Sequence, residues 1–296
     1  MRKYSLSYKI FSVFNTIFMI LIGIIMLYPY LNTVAKSFDA AASSSFSLFP
    51  SEFSLEGYKM LLGDESVFRA FFVSLESVIC SVALSLLVQF GCAYSLSKRS
   101  LLGKNFFVML FMIPQFISAG VIPVYVMLSK YHLLNNFWVY VVPSLFSFYN
   151  VVIIRTFIQS TIPVSLEEAA TIDGANELTI FFRIILPLCK PILATIALWI
   201  MVAKWNDYTT TLMYVTDSSL YTLQYKMMEL IKEGDRLQAL AVQAQQQGIS
   251  MNVKKMATSE SVISAQVVLT TLPIICVYPF LQKYFVSGIM MGSVKE

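Results

Sequence analysis

Two groups of residues have types and spacings that could do chemistry. In the first, Ser165 and Glu168 stand three apart. That is the spacing of a capping box, in which the Ser165 hydroxyl accepts from the Glu168 N–H and the Glu168 carboxylate returns to the Ser165 N–H. Glu167, Ala169, Ala170, Asp173, Gly174 and Ala175 complete the stretch. Gly174 is free to take φ > 0 and close a short helix, residues 177–185 can restart one, and Pro187 suits the first turn of the next membrane helix. A helix, turn, helix of this kind offers a docking surface rather than a reaction centre, and it would serve equally as a well-capped connector. In the second group, Lys204 and Asp207 stand three apart and can pair on one helix face, beside Trp205, Asn206 and Tyr208. Both signs of charge, an amide and two aromatic rings suit sugar hydroxyls and C–H faces. The same five residues would also serve as a structural ion pair with interfacial aromatics. Glu76 is a further candidate, with a snorkelling carboxylate as its alternative.

Several chemistries are excluded. The chain has one histidine, so a multi-histidine metal site cannot form, and the HExxH and GxSxG signatures are absent. Cys80, Cys92, Cys189 and Cys276 lie far apart in apolar surroundings without a CxxC pair, which predicts no disulfide and no zinc site. Lys104 follows Gly103 but lacks the earlier glycine and the following Ser or Thr of a Walker A loop, so this chain has no such means of binding ATP. No catalytic residue and no metal ligand is predicted, and nothing points to nucleic acid.

The elements that must position these residues are membrane helices. At 57% hydrophobic and 13% charged residues, with mean hydropathy +0.70, the 296-residue chain is far more apolar than soluble proteins. Runs of about 20 apolar residues predict six spans, at about 10–35, 70–97, 105–129, 133–154, 188–214 and 261–281, in one all-α membrane domain over 1–296. The first run exceeds the roughly 7–15 residues of a secretory h-region and is expected to be retained. Arg2, Lys3 and Lys9 precede it without an acid, and Lys98, Arg99 and Lys104 share a loop without one. The positive-inside rule therefore predicts both termini in the cytoplasm and a cytoplasmic loop from Arg155 to Pro187. The segment from Val215 to Glu260 falls outside and is expected to carry a polar helix over 226–247, either a partner surface or a solvated cap. Span five has 13 uncharged residues, Pro191 to Ala203, before Lys204, about 20 Å of rise against a core of roughly 30 Å, so Lys204 and Asp207 fall within the outer part of the membrane.

The loop before span five is specific as a whole. Glu168-Ala169-Ala170, three residues, Gly174, nine residues, Ile184, one residue and Leu186-Pro187 resemble the EAA loop of binding-protein-dependent ABC importer permeases. Ala93-Tyr94-Ser95-Leu96-Ser97-Lys98-Arg99, Trp205-Asn206-Asp207-Tyr208 and Gln282-Lys283-Tyr284-Phe285 resemble the carbohydrate-uptake, maltose-type branch. Tyr278-Pro279-Phe280-Leu281, running into Gln282, is similar to the LplC-like subgroup. The resemblance departs around Ser74, where that branch commonly has an Asn and this chain has Glu76 nearby. It implies a multi-pass bacterial plasma-membrane subunit in which residues 165–175 form a coupling helix against a cytoplasmic ATPase. The implied partners are a second homologous permease, two ATP-binding cassette subunits, an extracytoplasmic solute-binding protein and membrane lipid. ATP and Mg belong to the ATPase subunits, and no cofactor to this chain. The implied cargo is an oligosaccharide, in the LplC-like subgroup one that can carry uronates. The alternatives are a permease for another small polar solute, a secondary transporter, expected to show paired repeats with broken helices in both halves, and a membrane-embedded enzyme.

Overall fold

The computed structural model describes residues 6–40, 48–246, 260–277 and Pro279. Among these the regular structure is helical, apart from one isolated antiparallel bridge between Asp39 and Phe53. It divides into two compact units, Met1–Val67 with Met227–Leu272, and Phe68–Lys226 with Pro273–Glu296.

The first unit holds α1 (Leu6–Ser37), α2 (Glu56–Leu62) and most of the polar helix that starts at Leu223. It also takes the greater part of the last described helix, Glu260–Val277. Helix α1 has no acid or base over residues 10–35, and residues 10–20 are exposed throughout. This suits a helix whose solvent is hydrocarbon. Lys36 pairs with Glu260 at 3.1 Å, and the Ser261 hydroxyl donates to the Ser37 carbonyl at 3.4 Å. Asp39, buried, accepts from the Ser51 N–H at 3.0 Å, the Ser51 hydroxyl at 2.7 Å and the Glu52 N–H at 3.2 Å, which pins the segment returning toward α2.

The second unit is organised around α3 (Glu65–Ser97), whose 33 residues rise about 50 Å. The expected continuous span over 105–129 is corrected to two helices, α4 (Lys104–Phe116) and α5 (Val121–Lys130), bent by 120°. Pro114 lies in the last turn of α4, and Gly120, at φ +82°, takes a conformation closed to most residues. The expected span over 133–154 is likewise not continuous. It comprises two 3₁₀ turns, Phe137–Val139 and Val142–Ser144, the second containing Pro143, followed by α6 (Phe148–Thr161).

Non-helical backbone at membrane depth must find partners inside the protein. Here α3 supplies them from one buried stripe at helical spacing, Ser74, Ser77, Ser81, Ser85 and Gln89. Ser81 donates to the Tyr140 carbonyl at 3.5 Å, Ser85 to the Ser144 carbonyl at 3.0 Å and Gln89 to the Leu145 carbonyl at 3.1 Å. Asn150 donates to the Gln89 side-chain oxygen at 3.0 Å, and Ser74 accepts from the Leu223 N–H at 2.8 Å.

After α6 come α7 (Val164–Ile172), α8 (Glu177–Leu188), α9 (Lys190–Trp205) and α10 (Thr209–Tyr214). Helix α8 widens into π-helical turns at Ile180–Ile185, just before Pro187, whose missing N–H breaks the regular ladder. It meets α9 at 77°, and α9 ends at Trp205, so the expected span over 188–214 is also broken. The polar helix expected over 226–247 is described as α11 (Leu223–Gln246). Residues 278 and 280–281 of the expected sixth span, together with 282–285, Arg2, Lys3 and Gly248, lie outside the described residues.

Candidate functional site

Helix α7 does not start with the expected capping box. The N-cap is Pro163, at φ −64° and ψ 138°, no side chain caps the helix, and Ser165 is its second residue. The proline ring already holds the extended conformation an N-cap needs, and its carbonyl accepts from the Leu166 N–H at 3.1 Å. The other end follows the sequence expectation. Gly174 has φ +82°, its N–H donates to the Thr171 carbonyl at 3.0 Å, and the Ala175 N–H donates to the Ala170 carbonyl at 2.9 Å. This pair of bonds is the Schellman closure, which needs a left-handed residue where Gly174 stands. Asn176 then caps α8, its side chain accepting from the Thr179 N–H at 2.8 Å.

The faces of α7 have different neighbours. Ala170 and Ala175 pack on the apolar core formed by α3, α6, α8 and α9. Ser165, Glu168, Ala169 and Asp173 are exposed, and Ile172 keeps 86% of its surface free. Glu167 turns inward. Its carboxylate pairs with Lys98 at 2.5 Å, and the same ammonium reaches Glu177 at 3.2 Å. Tyr94 donates to Glu177 at 3.0 Å, and the Lys98 ammonium lies 4.5 Å from the Tyr94 ring centre. Burial opposes the charge on Lys98, but its hydrogen bonds to Glu167, Tyr94 and Glu177 outweigh that and raise its pKa above the ordinary lysine value. A groove of about 1060 Å³ runs beside this anchor, lined among others by Arg99, Gln159, Val164, Glu168 and Thr171. Tyr94, Lys98, Asn176 and Glu177 were not predicted as site residues, although Tyr94 and Lys98 belong to the Ala93–Arg99 stretch already singled out.

The second group is brought together, with a different emphasis. Lys204 and Asp207 pair at 3.4 Å. Asp207 also accepts from the Thr210 N–H at 3.0 Å and the Thr210 hydroxyl at 2.6 Å, so it caps α10. The Asn206 amide donates back to the Val202 carbonyl at 2.8 Å. Trp205 is not offered as a free aromatic plane. It is 6% exposed, its ring edge-on to Phe71 at 6.0 Å, because α9 ends against α3 and buries its last residue. Tyr208 is half-buried. Behind this corner lies a hydroxyl chain with no counterpart in the sequence expectations. Tyr140 and Thr211 are 2.9 Å apart, Thr211 and Thr222 2.9 Å, and Tyr140 donates to the Leu220 carbonyl at 2.7 Å. Glu76 is apart from all of these, on the exposed face of α3 with Phe72 and Ile79.

Comparison with known proteins adds independent findings. Residues 81–290 match the family described as the binding-protein-dependent transport system inner membrane component. The chain is 35% identical over 297 residues to the protein LplC of Bacillus subtilis (strain 168), covering 97% of this chain and 95% of that one. It is 32% identical to the polygalacturonan/rhamnogalacturonan transport system permease protein YtcP of the same organism, covering 94% and 96%. Among solved structures it is similar to a chain of a bacterial ABC transporter involved in the import of the acidic polysaccharide alginate. The TM-score is 0.82 with 28% identity, over 96% of this chain and 100% of that one.

Proposed function

Because the chain belongs to the family of binding-protein-dependent transport system inner membrane components, and is therefore a permease subunit of an ABC importer rather than an enzyme, we propose that it imports an acidic or complex oligosaccharide and that α7 couples it to the ATPase. One transmembrane domain of six spans, three of them broken, would form half of the translocation path, with both termini in the cytoplasm. A second permease would complete the path, two ATP-binding cassette subunits carrying ATP and Mg would drive it, and an extracytoplasmic solute-binding protein would deliver the sugar.

The observation that carries the coupling role is the division of α7. Glu167, Ala170 and Ala175 face its own chain, while Ser165, Glu168, Ala169, Ile172 and Asp173 stay exposed. An apolar residue as bare as Ile172, flanked by acids on a short helix, is a surface that lacks its partner. A cytoplasmic cleft in the ATPase is the proposed cover.

The cargo reading rests on the relatives. One is named for polygalacturonan and rhamnogalacturonan, and a similar solved structure concerns alginate. For the path we retain Glu76, Lys204, Asn206, Asp207 and Tyr208, with Trp205 as the packed base of that corner. ATP binding would favour one of two pore conformations through its different affinity for the two.

The test uses the assembled transporter in liposomes. Glu168→Lys reverses the charge at the fifth residue of α7, on its exposed face, and Gly174→Val forces a β-branched residue to φ +82°. Both are expected to keep basal ATP hydrolysis and lose its stimulation by the liganded binding protein. Stimulated turnover unchanged in both variants overturns the coupling role. Wild-type transporter is expected to take up oligogalacturonates, and uptake of amino acids without any saccharide overturns the substrate class.

A further inference from the structure

The ends of α3, α4 and α6 converge on one small region of the second unit. Lys104, the first residue of α4, donates to the Lys98 carbonyl at 3.2 Å. On α6, Gln159 donates to the Ser97 carbonyl at 3.2 Å. Arg99 is the second residue beyond this end of α3, and Arg155 lies one helical turn before Gln159. The charges of Arg155 and Arg99 both bear on the Lys104 ammonium.

Three cations are thus gathered without a neutralising partner among the described residues. Glu167 and Glu177 pair with Lys98, and no described carboxylate pairs with Arg99, Lys104 or Arg155. The Arg155 Nε is buried and has no hydrogen-bond acceptor. A buried donor on a charged group without an acceptor is costly, and like charges held together add to that cost. An anion with several acceptor oxygens would relieve both.

The neighbouring surface says which anion. Helix α4 has no buried residue. Phe106 is 65% exposed, Met109 56%, Leu110 49% and Ile113 52%, so an apolar face starts two residues beyond Lys104 and runs along the helix. A ligand that meets both surfaces has an anionic head and a hydrocarbon body. An acidic protein segment would match the cations and leave the apolar face bare.

We propose that Arg99, Lys104 and Arg155 bind the phosphate of an anionic phospholipid whose acyl chains lie along α4. Arg155 supplies the buried guanidinium N–H, Lys104 the ammonium at the start of the helix, and Arg99 an exposed charge at the rim. Basic pockets between membrane helices bind anionic headgroups by this chemistry. The assignment requires that the chain is a membrane protein and is independent of which side of the membrane this end faces.

The test uses the assembled transporter, stripped of lipid in mild detergent and titrated with phosphatidylglycerol, phosphatidylcholine or inorganic phosphate, with bound molecules read by native mass spectrometry. Wild-type complex is expected to hold phosphatidylglycerol in preference to phosphatidylcholine. The Lys104→Gln, Arg155→Gln double variant is expected to lose about thirtyfold in that affinity, while Lys130→Gln, at an exposed lysine on another helix, leaves it unchanged. If the double variant fails to assemble, Arg99→Gln at the exposed rim is expected to lose about fivefold. Equal phosphatidylglycerol binding in wild type and variants overturns the site, as does an equal loss in Lys130→Gln. Binding of inorganic phosphate as tight as that of phosphatidylglycerol overturns the lipid assignment in favour of a free anion. A mixture retained only when an acidic subunit of the complex is absent assigns the cations to that subunit and overturns it too.

Discussion

Lys98 should be the anchor on which α7 depends, and the two carboxylates it touches should not count equally. About a fifth of each side chain remains exposed in the Lys98 and Glu167 pair, 21% and 19%, whereas Glu177 is 73% exposed. Breaking a fully buried pair costs about 3–5 kcal/mol and an exposed pair contributes about 0–1 kcal/mol, which places the Glu167 leg at about 1–2 kcal/mol and the Glu177 leg below about 0.5 kcal/mol. About 1.4 kcal/mol corresponds to a factor of ten. In Lys98→Met the fraction of molecules with α7 detached from the end of α3 should therefore rise about tenfold. The measurement is a double-mutant cycle on the assembled transporter with Lys98→Met, Glu167→Gln and both together, then the same cycle with Glu177→Gln. Hydrogen exchange of residues 164–176 reports the detachment, and ATP hydrolysis stimulated by the liganded binding protein reports its consequence. Exchange should rise and stimulation fall in Lys98→Met and in Glu167→Gln, with little further change in the double variant. A coupling energy below about 0.3 kcal/mol between Lys98 and Glu167, or one equal to that between Lys98 and Glu177, would refute the anchor.

Two further outcomes rest on buried contacts. Gln89→Leu removes the donor to the Leu145 carbonyl and the acceptor for Asn150, leaving buried polar groups unpartnered, and should cost about 2–4 kcal/mol, seen as a lower Tm of the purified complex. Ser95→Ala, whose hydroxyl bonds only within its own exposed helix turn, is the matched control and should leave Tm unchanged. Trp205→Ala should cost about 3–5 kcal/mol of stability because the ring is packed against Phe71. A normal Tm with oligosaccharide uptake abolished would instead make Trp205 a substrate contact.

How much of the molecule is legible in its sequence depends on the reach of each signal. Hydropathy locates the apolar runs because a run of some 20 uncharged residues is a property of composition alone, whatever the residues later touch. It does not foresee the 120° bend at 117–120, since a glycine at φ +82° and a proline are tolerated in membrane helices whenever neighbours satisfy the freed backbone. Gly174 is legible because its role is local: the Schellman closure involves six consecutive residues, Ala170 to Ala175. Ser165 misleads for the same local reason, the S-x-x-E pattern being satisfied while Pro163 has already taken the N-cap. The inward turn of Glu167 and the burial of Trp205 are not legible, because nothing in their neighbourhood names their partners. Lys98 is 69 residues from Glu167, and Phe71 lies in another span. The serine stripe on α3 leaves a signal that sequence reasoning could use. Serines at 74, 77, 81 and 85 with Gln89 keep one face of an otherwise apolar helix polar, which a lipid-facing helix would not retain.

That stripe lies on α3 and the Lys98 anchor immediately follows it, and this constrains how α7 can act on the rest of its unit. Helix α3 carries no proline and rises about 50 Å as a single rod of 33 residues. Immediately beyond its last residue Lys98 holds Glu167 of α7. Further toward the other end, Gln89, Ser85 and Ser81 hold the carbonyls of the broken segment before α6. Further still, Phe71 packs on Trp205 and Ser74 binds the Leu223 N–H. A displacement of α7 cannot be absorbed within such a rod. It must either move α3 as a body, carrying the 140–145 backbone and the Trp205 corner with it, or break the Lys98 pair and leave them behind. The three bent helix pairs are the elements that can change angle, since each already contains a break in its helical ladder. A displacement of α7 would therefore reach the Lys204–Tyr208 corner by a lever followed by hinges, with α3 as the lever.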